Sequence, residues 1–75
     1  MKKYYCLIIS YLFGQPDYFF FDDEPKRYRG AIEMYNYAVQ NNLPVVVKKI
    51  ETDLDFSELD IYDEDWVLCN EDFYS

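Results

Sequence analysis

Eight carboxylates fall between residues 51 and 65: Glu51, Asp53, Asp55, Glu58, Asp60, Asp63, Glu64 and Asp65, with no Lys, Arg or His among them. Carboxylates at this density could hold a hard cation, pass protons as a general acid and base, or present negative charge to a basic surface. Each possibility demands a different pattern. The run Asp53-x-Asp55-x-Ser57-Glu58-x5-Glu64 resembles a calcium loop of the EF-hand kind, with positions 1, 3 and 12 matched. Position 5 is Ser, a weaker ligand, and position 6 is Glu58, where the sharp turn needs Gly. The β-branched Val45-Val46-Val47 stands where an entering helix is required. So partial a match is expected in any segment this acidic, and no metal site is assigned.

Acid–base catalysis lacks its partners. The chain has no His, only two Gly, no loop able to cradle phosphate, and little volume for a substrate pocket. It reads as a binding protein, not an enzyme, and no cofactor is expected.

Charge placement favours the third possibility. Lys49 is the last base, and the residues after it carry ten of the chain's fifteen Asp and Glu. Residues 1–49 are therefore slightly positive, and residues 50–75 carry more than the whole net charge of −8. Such one-sidedness costs compactness through self-repulsion, so it fits a positively charged partner better than the needs of folding. Direct nucleic-acid binding is disfavoured, because the only basic groupings are Lys2-Lys3, Lys26-Arg27-Arg29 and Lys48-Lys49. If residues 51–56 are extended, alternate carboxylates project to one face about 6.6 Å apart, near the spacing of phosphates along a nucleic-acid strand. Leu59, Ile61 and Tyr62 would anchor the segment, with Ser57 starting a short helix or turn. A second acidic group, Asp22-Asp23-Glu24, could join the same face.

The elements that must hold these residues follow from periodicity. Residues 3–13 are rich in Tyr, Ile, Leu and Phe and read as a strand buried on both faces. Gly14-Gln15-Pro16-Asp17 is a turn signal, and Tyr18–Phe21 a second strand, giving a hairpin. Asp22-Asp23-Glu24-Pro25 opens a helix over Lys26–Asn41, whose apolar face is Tyr28, Ala31, Ile32, Tyr35, Ala38 and Val39. Asn41-Asn42 and Pro44 end it. Val45–Ile50 is a third strand and Trp66–Cys69 a short fourth. The expected fold class is α+β, a small β-β-α-β(-β) layer with one helix on the sheet. Residues 1–75 form a single domain, divided into 1–49 (hairpin, helix, third strand) and 50–75 (acidic segment with a short last strand).

A chain of 75 residues buries only about 60–65% of its unfolded surface, so its own core is marginal. Cys6 and Cys69 read as two buried thiols in a reducing compartment. Met1-Lys2-Lys3 and the apolar run after it resemble a signal peptide in outline, but Tyr and Ser interrupt the run and no small-x-small cleavage site follows. No stretch approaches the roughly 20 apolar residues of a membrane span, and the cytoplasm is the expected location. Homodimerisation is the remaining common source of stability. Most of Tyr4, Tyr5, Phe13, Phe19, Phe21, Tyr28, Tyr35 and Trp66 should be core, yet nine tyrosines exceed what so small a core can hold. The surplus points to an interface, where Tyr is favoured.

Gln15-Pro16-Asp17-Tyr18-Phe19 resembles the Gln-Leu-Ser/Asp-Leu-Phe peptide by which many proteins dock on the bacterial sliding clamp. Gln15, Asp17 and Phe19 match, and Pro16 and Tyr18 replace the leucines. The same residues carry turn chemistry, and a hairpin turn is the simpler account.

Small size, strong acidity, missing catalytic groups and surplus Tyr together resemble the phage-encoded DNA-mimic inhibitors of host DNA-binding proteins, and most of all a staphylococcal phage inhibitor of the sliding clamp. That resemblance implies carboxylates standing in for phosphates, a basic DNA-binding host protein as partner, no direct nucleic-acid or membrane contact, and action in the host bacterial cytoplasm. A binding protein of another kind, antitoxin-like or anti-defence, would neutralise a basic protein without copying DNA.

Overall fold

Tyr4, Tyr5, Cys6 and Leu7 are four consecutive buried residues, so the strand that holds them is covered on both faces. This strand, β1 (Lys2–Ile9), is central in a four-stranded sheet of order β2-β1-β3-β4, with β2 at Asp17–Asp22, β3 at Val45–Thr52 and β4 at Val67–Leu68. All three pairings are antiparallel. The computed structural model, which describes residues 1–73, thus shows a small α+β fold with one helix, α1 (Pro25–Gln40), crossing from β2 to β3 over the sheet.

The two-residue period of β1 divides the interior into two cores. On the helix face Tyr5, Leu7 and Ile9 pack with Phe21, Ala31, Tyr35, Ala38, Val47, Cys69 and Phe73. On the back face Tyr4 and Cys6 pack with Ile50 and Trp66, and Phe20, Leu59 and Ile61 close over them. Cys6 and Cys69 belong to opposite faces, which explains why both are free and buried.

Helix α1 begins and ends as its sequence dictates. Pro25 occupies the first turn, and the Arg27 N–H donates to the Glu24 carboxylate at 3.0 Å as an N-cap. At the other end Asn42 takes φ +57°, and the Asn42 and Leu43 N–H groups donate to the Val39 and Ala38 carbonyls at 3.1 and 2.9 Å, closing a Schellman motif. Of the expected apolar face, Val39 is exposed.

The first strand is shorter than expected. It stops at Ile9, and Ser10–Pro16 loops out with Gly14 at φ +92°. The Ser10 N–H still donates to the Pro44 carbonyl at 2.9 Å, but Pro44 has no N–H to return, so the β1–β3 ladder ends there. Phe13, expected in the core, is 86% exposed, as is its neighbour Leu12 at 88%. The short β4 is supported by Asn70 in the following 3-10 turn (Asn70–Phe73): its Oδ1 accepts from the Val47 N–H at 2.8 Å and its Nδ2 donates to the Val45 carbonyl at 3.1 Å. Trp66, expected within the last strand, precedes it.

Candidate functional site

The acidic segment is the cover of the back-face core. It leaves β3 after Thr52, makes a 3-10 turn at Phe56–Glu58, and runs in consecutive turns to Trp66. The regular extended array of carboxylates expected from alternation is therefore not formed: β3 pairing ends at Thr52, which faces Lys2. Burial of Leu59, Ile61 and Trp66 outweighs strand continuation, because those side chains reach the sheet only if the backbone folds back over it.

Three hydrogen bonds fix the segment, two of them from its buried side. The Tyr4 hydroxyl donates to the Leu54 carbonyl at 2.9 Å, and the Trp66 indole Nε1–H donates to the Asp60 carbonyl at 2.7 Å. The Asp55 N–H donates to the Glu58 carboxylate at 3.0 Å, so Asp55, and not Ser57, caps the 3-10 turn. Asp60 and Asp63 each serve their own turn: Oδ1 of Asp60 accepts from the Tyr62 N–H at 3.0 Å, and Oδ1 of Asp63 from the Asp65 N–H at 2.9 Å. The backbone repeats the motif, with the Asp63 N–H donating to the Asp60 carbonyl at 3.1 Å. Tyr62, expected as an anchor, instead stands 86% exposed among these acids.

The eleven candidate carboxylates do not form one face. Asp55 is ion-paired with Lys2, whose ammonium holds the carboxyl below the ordinary range, and Asp53 lies 3.9 Å from the Met1 ammonium. Asp22 takes two hydrogen bonds from Arg27, from Nε at 2.8 Å and Nη2 at 2.9 Å, and is likewise held below its usual value. Glu24 is occupied as the helix cap. Asp23 shares with Asp22, Lys2 and Lys3 the lining of a shallow recess of mixed sign. Glu51 sits opposite Lys3 in the β1–β3 register, on the helix face, away from the loop. What remains contiguous along the loop, with no ion pair among the described residues, is Asp60, Asp63, Glu64 and Asp65, together with Glu58, which helps cap the 3-10 turn and lies within electrostatic reach of Lys2.

Asp17, Tyr18 and Phe19 of the clamp-peptide-like stretch are paired in β2, opposite Ile9, Ile8 and Leu7. Asp17 accepts from the Tyr11 hydroxyl at 2.8 Å, and Gln15 lies in the exposed loop before the strand. The stretch is thus part of a hairpin rather than a free peptide. Among the described residues no group of three or more His, Cys, Asp and Glu converges as a metal site, and no helix is long and apolar enough to cross a membrane.

Two features escaped the sequence. The pairing of Asp53 and Asp55 with the chain's start depends on β1 lying beside β3, which no local pattern reports. The exposure of Tyr62 follows from the turn that Asp60 makes, and the Asp-x-Tyr spacing was its only signal. The chain matches no protein-family model, no curated protein and no solved structure.

Proposed function

We propose that the chain is a phage-type inhibitor that binds the basic DNA-binding surface of a host DNA-processing protein in the bacterial cytoplasm by DNA mimicry, without catalysis. The narrower target is the DNA channel of the replication sliding clamp, whose occupation would block DNA loading. One observation carries the reading. Glu58, Asp60, Asp63, Glu64 and Asp65 form a loop free of bases, and Trp66, Leu59 and Ile61 hold that loop against the sheet.

A loop already ordered by its own turns loses little freedom on binding, and its charge accelerates encounter with a basic surface. Exposed Tyr62, in the middle of the carboxylates, supplies the large side chain that a lasting contact needs. The remaining acids contribute a weaker field, since Lys2, Arg27 and the chain's ammonium terminus already neutralise part of it.

The test replaces Asp60, Asp63 and Asp65 with Asn and Glu64 with Gln. Asn keeps an Oδ1 acceptor for both turns, so the loop stays folded while four charges are removed. Binding to a purified bacterial sliding clamp should weaken at least about tenfold and lose much of its salt dependence, and duplex DNA should displace the unmodified chain. Equal affinity in the neutral variant, or a complex indifferent to DNA, would reject mimicry.

A further inference from the structure

The strand order leaves the outer edge of β2 unpaired. Its sequence, Asp17-Tyr18-Phe19-Phe20-Phe21-Asp22, has no Lys, Pro or Gly, and its register with β1 runs without a bulge. Those are the devices that normally blunt an edge, so β2 is a six-residue template for another strand. The opposite edge, β4, has only two residues.

Helix α1 lines this edge with Arg27, Gly30, Met34 and Tyr37, and with Phe19 they border two open grooves of about 280 and 290 Å³. Gly30 lies in the helix interior, where glycine is unfavourable, and a Cβ there would meet nothing within 4 Å. Nothing among the described residues requires this glycine, and close approach of a second backbone would account for it.

We propose that β2 pairs with β2 of a second copy, antiparallel about a two-fold axis normal to the sheet, with the two α1 helices packed side by side at Gly30. The groove between strand and helix sets the centre. Gly30 shares its groove with Phe19, Phe20 and Phe21, whose midpoint is Phe20. Centring the pairing on Phe20 sets Phe19 against Phe21 of the second copy and Tyr18 against Asp22, and brings Asp17 level with Asp23 just beyond the strand.

The same axis makes the helix pair self-complementary in charge. With antiparallel helices crossing at Gly30, Arg27 of one copy, whose Nε and Nη2 already bond its own Asp22, comes level with Glu33 of the other, three residues away on either side of the glycine. Both residues border the grooves. The helix side of this surface is clear of the loop from Glu58 to Asp65, which covers the back of the sheet and reaches Phe20 through Phe56 and Trp66. A stable homodimer needs about 800 Å² from each copy, a minor fraction of the 5387 Å² exposed here. Tyr18 and Tyr37, 47% and 61% exposed, account for part of the tyrosine surplus at this edge.

Analytical ultracentrifugation of the whole chain over a wide dilution series tests this directly. The wild-type chain should sediment as a dimer that dissociates on dilution. Gly30→Gln removes close approach yet suits a helix better than Gly, so the variant stays folded and its dimer should weaken at least about tenfold. Glu33→Lys, which places like charges level with each other, should weaken it as well. A wild-type chain that stays monomeric at its highest soluble concentration, with the β2 edge left for a segment of another protein, would overturn the proposal. A dimer unchanged in both variants would do the same.

Discussion

The indole of Trp66 joins the acidic loop to the fold twice, through its buried ring and through Nε1–H on the Asp60 carbonyl. Trp66→Phe keeps most of the ring but leaves that carbonyl without its donor. It should cost about 1–3 kcal/mol, read by urea denaturation, and expose residues 60–65 to protease, whereas Trp66→Ala should cost roughly 3–5 kcal/mol. Asp22 adds a pH dependence of definite sign. Hydrogen bonds from Arg27 hold its folded-state carboxyl below the ordinary 3.8. Its contribution is therefore complete above that value and is lost as pH falls through the lower, folded value. Acid unfolding below about pH 4 should be steeper in the wild type than in Arg27→Met. Burial pushes the Cys6 and Cys69 thiols up to about 11, so at neutral pH a thiol reagent should label them only after denaturant is added. Single residues of this kind were legible as buried or charged. Their partners were not, because Trp66 with Asp60 and Tyr4 with Leu54 meet only once the chain has folded.

At the scale of elements, the helix was readable to within a residue because its signals are local: Pro25 at the start, apolar spacing of three and four, and Asn41-Asn42 at the end. The third strand was readable from its β-branched run. The end of β1 was not, since Ser10–Phe13 is as apolar as the strand before it. Strand length is set by partners, and β2 and β3 both reach only to Ile9. The acidic segment misled for the opposite reason: its alternation is real, but Leu59, Ile61 and Trp66 hold it to the sheet by burial rather than by pairing. Asn70 shows how a side chain can finish a ladder that the backbone leaves short. Asn70→Ala should strand the Val47 N–H and the Val45 carbonyl together, at about 1–3 kcal/mol for each group left unsatisfied. Thermal denaturation with hydrogen exchange at Val47 checks it, and unchanged protection there would show that β4 alone suffices.

At the scale of the whole molecule, the net charge of −8 is a load on the folded state. Added sodium chloride should raise the melting temperature of the free chain by screening that repulsion, while weakening its attachment to a basic partner. Opposite responses to one variable would separate the stability of the protein from its binding. The central position of β1 has a further effect, in time rather than energy. Lys2–Ile9 is synthesised before its partners, yet it pairs with Val45–Thr52 and is roofed on one side by Leu59, Ile61 and Trp66. Both faces of the most apolar strand must wait for residues made much later. Contacts so distant in sequence slow folding towards the millisecond-to-second range typical of non-local topologies. Until the finished chain folds, its stickiest strand stays uncovered, and in that interval like charge along the acidic segment keeps neighbouring copies apart.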